Sequence, residues 1–281
     1  MANIGKFYAW LQSNQNTPFP LKMKILYGCL FPSLLYSCET WGDITDIADE
    51  LLLMERKALR SCLGVKQSTP DEILYVEINK PDIIHYIKSQ QQKFYKKFLE
   101  VDAAQSSAKR IWQKYVFHPS IMNKPLLAYY DALLSNELPD DVESKKRIII
   151  HSAKSMHTRY RGLFDLKYSK VLYNSMVEDC HRVVITRWRL SCHKLFVETG
   201  RYKGLDRHNR ICIICLVVED ESHALFTCRA HIKLREKHQQ LLHEYNCVEK
   251  LLDPRTESDV IRVSIYIQDI ERNMVRLKMM R

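Results

Sequence analysis

The chain has 281 residues, of which 46% are hydrophobic, and only 7 are glycine and 9 are proline. This composition excludes a disordered chain and disfavours a turn-rich sandwich or barrel, so the sequence predicts a mainly α-helical globular protein. The formal net charge of +10 favours a polyanionic partner, either nucleic acid or an acidic membrane surface.

The N-terminal residues and the longest apolar stretch indicate where the protein works. Polar residues such as Lys6 and Gln12 interrupt any signal-peptide-like run in the first twenty positions. The stretch from Ile25 to Cys38 contains Pro32 and is shorter than the roughly 20 residues of a membrane span, so it predicts a buried helix. We therefore expect an intracellular protein, nuclear or cytoplasmic, with no membrane partner and with its 9 cysteines reduced.

Helical periodicity dominates the first hundred residues. Apolar residues recur at helical spacing from Lys6 to Leu63, and Gly64 then supplies a stop. Pro70 stands at the start of a further helix, and residues 82–99 form another amphipathic one. That helix ends in a basic group that we expect to contact phosphates, namely Lys93, Lys96 and Lys97.

Two proline-containing breaks interrupt the rest of the chain, at residues 117–125 and 136–141. A helical pattern returns after the second break and continues, with one polar connector, to the C-terminal residues. We therefore predict a helical domain over residues 1–100, a helical linker domain over 101–198, and a third part over 199–281 that combines a small metal module with C-terminal helices.

Four potential metal ligands follow the spacing C-x2-C-x7-H-x4-C, namely Cys212, Cys215, His223 and Cys228. Thiolate and imidazole ligands suit Zn²⁺, and two cysteines in a tight turn are close enough to bind one ion. Four protein ligands leave no open position for water, so we expect a structural zinc site and disfavour a catalytic one.

Two alternatives to this ligand set follow from the same residues. The first two cysteines stand among isoleucines, so they could be core cysteines beside a surface His223. His231, which lies one helical turn from Cys228, or else His208 could replace His223 as the ligand. The spacing alone leaves both alternatives open.

The most basic part of the chain surrounds these ligands. Between residues 182 and 238, twelve Lys and Arg side chains stand against six Asp and Glu side chains. Trp188, Phe196 and Tyr202 are interleaved with them, a mixture that binds phosphates and stacks on unpaired bases. The alternative is a solvated helix face whose aromatic residues point into the core. The residues of this segment that we expect to contact nucleic acid are Arg182, Arg187, Arg189, Arg201, Lys203, Arg207, Arg210, Lys233 and Arg235.

Three segments carry longer motifs. Residues 24–42 contain the pattern Pro-x-Leu-Leu-Tyr followed by Glu-x-Trp-Gly. The second segment consists of Glu55–Arg60, Leu63-Gly64-Val65 and Thr69-Pro70. The third consists of Leu190-Ser191, His193, Glu198, Gly200-Arg201-Tyr202, Glu219–His223 and Leu225-Phe226-x-Cys228. Together, and in this order, the segments resemble the C-terminal part of the reverse transcriptases of non-LTR (LINE-type) retrotransposons.

This resemblance covers nearly the whole chain, although residues from about 100 to 180 match only in being helical. It implies a thumb-like helical bundle over residues 1–100 and the family's terminal CCHC zinc motif in the third part. It also implies RNA or DNA as the partner, with no small-molecule substrate. The family's endonuclease and its Mg²⁺-binding palm would precede the thumb. We therefore expect a truncated copy that binds nucleic acid without being an enzyme on its own.

No catalytic residue is predicted. The only Asp-Asp pair, Asp140-Asp141, lacks the preceding aromatic residue and the strand pattern of a palm, so we interpret it as helix-capping charge. Metal-dependent nucleotide transfer needs converging carboxylates that hold two ions about 4 Å apart. The alternative function is a zinc-stabilised helical adaptor that binds protein, with the positive charge serving solubility.

Overall fold

The computed structural model describes residues 2–100, 107, 110, 124–136 and 138–279. The prediction of a mainly α-helical protein with a small cysteine–histidine module is confirmed. Within the described ranges, β-pairing is limited to one isolated antiparallel bridge between Ile211 and Val218. Of the predicted break at residues 117–125, positions 117–123 lie outside these ranges.

Helices follow one another with short connections. In chain order they are α1 (Ala2–Ser13), α2 (Phe19–Ile25), α3 (Phe31–Leu34), α4 (Thr45–Leu63), α5 (Asp71–Ile78), α6 (Ile83–Glu100), α7 (Lys124–Ser135), α8 (Asp141–His151), α9 (Ser155–Phe164), α10 (Lys170–Asn174), α11 (Asp179–Arg189), α12 (Phe196–Thr199), α13 (Ile232–Lys237), α14 (Gln239–Glu244), α15 (Val248–Leu251) and α16 (Glu257–Met279). Among the described helices, each is too short or too polar to cross a lipid bilayer.

A π-helical turn over Leu26–Leu30 joins α2 to α3. The Phe31 N–H donates to the carbonyl of Leu26, five residues back, and Pro32 then has no N–H to donate. The wider turn accommodates the proline, whose ring would clash with the preceding turn of a regular α-helix. The predicted helix is therefore present, but it ends at Leu34 and is buried on one face only. Leu26, Leu30 and Phe31 are buried, whereas Cys29 and Pro32 are exposed.

Gly64 ends α4 in the predicted way and also permits a close contact. Its φ of +70° is the left-handed conformation of a helix stop, and the Val65 N–H donates to the carbonyl of Arg60. A Cβ atom at this position would stand 2.8 Å from Cγ1 of Val183. Only glycine therefore lets α11 lie so close to the end of α4.

One apolar core runs from Phe7 in α1 to Met274 in α16 and includes most of the described helices. A second, small cluster of Tyr95, Tyr130 and Leu133 lies between α6 and α7. The C-terminal helix α16 lies along α11, and α5 packs against α8. Residues on both sides of the predicted boundary at 198/199 belong to this core. The three-part division of the chain stays a prediction.

A buried ion-pair chain ties α2 to α11. The ammonium of Lys22 lies 2.6 Å from one carboxylate oxygen of Asp179, and Nε of Arg182 donates to the other at 2.6 Å. The guanidinium of Arg182 also donates to the carbonyl of Cys62 at 2.8 Å. Arg182 is only 2% exposed. It is therefore not available to a phosphate group, contrary to the prediction from its charge.

A second buried network surrounds Glu77 of α5. Nε of Arg189 donates to its carboxylate at 2.5 Å, and the hydroxyls of Tyr160 and Tyr173 donate to the same carboxylate. Arg189 is 2% exposed and also donates to the carbonyl of Leu252 at 3.0 Å. The expectation that Arg189 contacts nucleic acid is therefore wrong, because the side chain is used inside the core.

Glu55 is a third buried acid, and it faces neutral donors instead of a cation. Its carboxylate accepts hydrogen bonds from the Ile83 N–H at 2.9 Å and from the hydroxyls of Tyr75 and Tyr27 at 2.9 and 3.2 Å. Burial raises the pKa of Glu55 to about 7, although the hydrogen bonds oppose the shift.

Glu55 should make the stability of the fold depend on pH. Because its pKa is higher in the folded than in the unfolded state, its contribution is most favourable below about pH 4.5 and is lost as the pH rises to about 7. The unfolding free energy of the wild type, minus that of Glu55→Gln, should fall across this window in urea titrations. A difference that stays flat with pH would show that Glu55 does not titrate in this way.

Candidate metal centre

A tight hairpin presents the first two cysteines. The bridge between Ile211 and Val218 closes it, and the Cys212 N–H donates to the carbonyl of Val217 at 2.7 Å. Inside the turn, the Leu216 N–H donates to the carbonyl of Cys212 at 2.8 Å, and Leu216 adopts a left-handed φ of 58°. The chain thus reverses within six residues and places both thiols on one side of the loop.

A second turn presents the other two ligands. Residues His223–Thr227 form one π-helical turn, and the Cys228 N–H donates to the carbonyl of His223 at 2.8 Å. The carboxylate of Asp220 caps this turn by accepting from the His223 N–H at 3.0 Å. The imidazole and the third thiol therefore come from opposite ends of the same short element.

The four side chains converge on one point. One ligand atom from each of Cys212, Cys215, His223 and Cys228 lies within 4.8 Å of the other three. Sγ of Cys228 is 3.9 Å from the sulfur atoms of both Cys212 and Cys215. Zn–S bonds of about 2.3 Å in a tetrahedron require S···S separations of about 3.8 Å. The arrangement can hold a metal ion, and its donor set fits zinc.

His223 has the features of a ligand. Its Nε2 is buried without a hydrogen-bond partner, while Nδ1 lies 3.2 Å from Oγ1 of Thr227. In a histidine that binds a metal through one ring nitrogen, the other ring nitrogen commonly forms a hydrogen bond that fixes the orientation of the ring. Burial lowers the pKa of His223, which favours the neutral imidazole that a metal needs.

The two alternative histidines do not belong to the group. Nδ1 of His231 lies 3.0 Å from the side-chain amide of Asn273, and burial lowers the pKa of His231 to about 4. His208 is exposed on a 3-10 turn. Ile213 and Ile214 beside the cysteines are also exposed, which argues against simple core cysteines.

A backbone donor contacts one of the sulfur atoms, and a side-chain donor holds the backbone beside another. The Arg229 N–H donates to Sγ of Cys215 at 3.3 Å, and Arg235 donates to the carbonyl of Cys228 at 2.7 Å. Burial raises the pKa of the Cys228 thiol to about 12 when no cation is near. Because a metal ligand must be a thiolate, ion uptake has to displace protons from this group.

The acids that precede His223 attach the module to the core. The carboxylate of Glu221 lies 2.6 Å from Nε2 of His193 and also contacts the guanidinium of Arg159 in α9. Arg159 donates in addition to Glu198 at 3.0 Å. Burial lowers the pKa of His193, so its neutral ring donates to Glu221. Arg159 and these residues of the third sequence segment, His193, Glu198 and Glu221, thus hold the metal loops in place.

No protein-family model, no curated protein and no solved structure matches this chain. The resemblance to LINE-type reverse transcriptases therefore stays an expectation, which depends on the motifs themselves.

The predicted nucleic-acid contacts divide by exposure. Arg182 and Arg189 are buried. Arg210 and Arg235 are half-buried and donate to backbone carbonyls, and Arg201 is half-buried and pairs with Glu198 at 3.2 Å. The predicted contacts that are exposed are Lys93, Lys96, Lys97, Arg187, Lys203, Arg207 and Lys233. Two of them already have a partner, since Arg187 donates to the carbonyl of Gly64 at 2.7 Å and Arg207 pairs with Asp220 at 3.2 Å.

Of the three interleaved aromatic residues, Tyr202 alone is well exposed. Trp188 is fully buried and donates from Nε1 to Glu271 at 2.9 Å, and Phe196 is half-buried, whereas Tyr202 is 58% exposed. The alternative of core-facing aromatic residues is therefore right for Trp188.

Cations lie on the Tyr202 ring. Nζ of Lys66 is 5.4 Å and Cζ of Arg201 is 5.3 Å from its centroid. The hydroxyl of Tyr202 lies 3.2 Å from Oγ of Ser68, a contact that lowers the pKa of Tyr202. Lys66 was absent from the sequence prediction, because only tertiary packing brings the loop after Gly64 to this ring. We call Lys66, Arg201, Tyr202 and Lys203 the tyrosine platform.

Proposed function

We propose that this chain is a nucleic-acid-binding C-terminal part of a LINE-type reverse transcriptase, with a structural zinc ion at its CCHC group and no polymerase activity of its own. The tyrosine platform is the observation that carries the proposal. An exposed ring with Lys66 and Arg201 beside it, and with the exposed Lys203 next in sequence, can bind a single strand by stacking on one base while the cations contact its phosphates. RNA or DNA in single-stranded form is therefore the ligand.

The basic end of α6 supports the same function. Lys93, Lys96 and Lys97 occupy positions i, i+3 and i+4 of one helix, so their ammonium groups share a face. All three are exposed. Charges arranged in this way bind phosphates without reading sequence, and they add affinity that decreases with salt.

The proposed absence of polymerase activity rests on the acids. Asp140 accepts from the Glu143 N–H at 3.1 Å and so caps α8, as its interpretation from the sequence requires. Asp141 pairs with Lys145 and accepts from the Asp82 N–H at 2.8 Å. A carboxylate that serves a helix end in this way is not free to bind the two metal ions of nucleotide transfer.

Binding of a fluorescent single-stranded RNA tests the proposal. The zinc-loaded chain should bind it saturably, and Tyr202→Ala should weaken binding by roughly 5- to 150-fold, because base stacking contributes about 1–3 kcal/mol. Tyr202→Phe should retain most of the affinity, since it keeps the ring. RNA labelled with 2-aminopurine should lose fluorescence on binding to the wild type and less on binding to Tyr202→Ala.

Tyr36→Ala is the matched control, because Tyr36 is 81% exposed and lies outside the platform. If Tyr202→Ala and Tyr36→Ala have equal effects, the platform is not the binding site. Primer extension by the purified chain with Mg²⁺ and nucleotides would contradict the proposed lack of activity.

The second candidate function is the zinc-stabilised protein adaptor. The hairpin that carries two metal ligands exposes consecutive apolar side chains, with Leu216 72% and Val217 49% exposed. Such a surface suits a protein partner. An adaptor would bind RNA only weakly and without saturation in the same titration.

A further inference from the structure

A strongly basic groove lies between the segment 229–237 and α16. It encloses about 580 Å³ and is lined by five cationic side chains and one carboxylate, that of Asp269. The cations are Arg229, Lys233, Lys237, Arg272 and Arg276, and all five are exposed. Arg229, Lys233 and Lys237 belong to the basic segment that the sequence predicts to contact phosphates, whereas Arg272 and Arg276 lie outside it.

The single carboxylate is already shared. Oδ2 of Asp269 lies 2.7 Å from Nζ of Lys237, and Oδ1 lies 3.4 Å from the guanidinium of Arg272. Arg229, Lys233 and Arg276 form no ion pair with any residue that the structure describes. The groove therefore keeps an excess of positive charge, and an anionic ligand would relieve the repulsion between its walls.

The cations stand in two facing rows. Lys233 and Lys237 are one turn apart on α13, and Arg272 and Arg276 are one turn apart on α16. In each row the repeat is about 6 Å along the helix axis. A ligand that carries a series of negative charges matches two such rows better than a single phosphate does.

We propose that this groove binds the phosphate backbone of the nucleic acid, at a place separate from the tyrosine platform. The proposal rests on the proposed nucleic-acid binding and adds a second contact to it. The platform would hold a base by stacking, whereas the groove would hold consecutive phosphates without reading sequence.

The metal loops position one wall of this groove. The backbone N–H of Arg229 donates to Sγ of Cys215, and the side chain of Asn273 in α16 donates to the carbonyl of Ala230 at 2.9 Å. The chain between Cys228 and Lys233 is thus held between the metal ligands and the C-terminal helix. The geometry of the groove therefore depends on the metal group.

The double variant Arg272→Gln/Arg276→Gln tests the inference in the full, zinc-loaded chain. Both arginines are exposed, and Asp269 keeps Lys237 and His238 as partners when Arg272 is replaced, so the variant should keep the wild-type melting temperature. Its affinity for single-stranded RNA should fall at least about tenfold at low salt, and the slope of log affinity against log salt should decrease by about 1.4, or 0.7 per lost phosphate contact.

The control is Lys24→Gln/Lys57→Gln, which removes the same charge at exposed positions on α2 and α4. If the groove variant and this control have the same affinity and slope, the inference is overturned while nucleic-acid binding stands. If the wild type binds neither RNA nor DNA saturably, the proposed function fails and the inference fails with it. If the groove variant loses binding to poly-glutamate or to phosphatidylserine vesicles but binds RNA as the wild type does, the groove binds another polyanion and the inference is contradicted.

Discussion

Replacing Cys228 with serine should abolish stoichiometric zinc binding and unfold the segment from Cys212 to His231. Sγ of Cys228 lies 3.9 Å from the sulfur atoms of both Cys212 and Cys215, so the substitution removes the ligand that is close to both of them. Structural zinc sites contribute about 10–16 kcal/mol of apparent binding energy in small peptides, far more than a segment of this length gains from packing. Atomic absorption of the purified chain and hydrogen exchange of this segment measure the two effects.

The other cysteines and histidines provide matched controls for this prediction. Cys29→Ser changes an exposed thiol outside the group and should retain one zinc ion. His223→Ala should lose the ion, whereas His231→Ala should keep it and lose only the contact with Asn273. If His231→Ala released the zinc and His223→Ala did not, the assignment of the fourth ligand would be wrong.

Removing the guanidinium of Arg189 should be the most destabilising change in the helical core. Arg189→Met leaves the buried carboxylate of Glu77 without a cation, with only the hydroxyls of Tyr160 and Tyr173 as partners. Breaking one side of a buried ion pair costs about 3–5 kcal/mol. The unfolding free energy from urea titration should fall by that amount.

Arg262→Met is the surface counterpart. Arg262 is partly exposed and pairs with the exposed Glu244, and its second partner Asp259 keeps hydrogen bonds from Tyr245 and Thr256 when Arg262 is replaced. Its effect should stay below about 1 kcal/mol. A stable Arg189→Met variant with weakened RNA binding would contradict the buried role of Arg189 and would restore it as a phosphate contact.

The metal ligands could be predicted from the sequence because local chain geometry determines them. Two cysteines separated by two residues lie in one turn whatever surrounds them, and the closing hairpin needs only the bridge from Ile211 to Val218. The stop at Gly64 and the cap at Asp140 are local in the same sense. The choice between His223 and His231 was not local, since it depends on where α16 places Asn273.

Charge in the sequence was a poor guide to exposure. Arg182, Ile185 and Arg189 stand at positions i, i+3 and i+7 of α11, so they share one helical face, and that face is buried. Because both arginines share a helical face with the apolar Ile185, the helical periodicity of this segment pointed to the core for both of them. The count of basic residues in the segment does not distinguish buried from exposed arginines.

Contacts between distant residues could not be predicted at all. Ser68 and Tyr202 are 134 positions apart, and the facing rows of α13 and α16 also come from separate elements. Only the packing of the whole chain brings these side chains together, so the tyrosine platform and the basic groove both required the structure.

The main apolar core has a consequence for thermodynamic linkage. It includes buried residues before and within the metal group, such as Val197 and Ala224, so the metal loops and the helices around them are packed into one cluster. A ligand that binds only the native state stabilises it by mass action, wherever on the molecule it binds. Zinc at the metal group and nucleic acid on the tyrosine platform or the basic groove would therefore each add to the free energy of complete unfolding, although neither touches the buried ion pairs of Glu77 and Asp179.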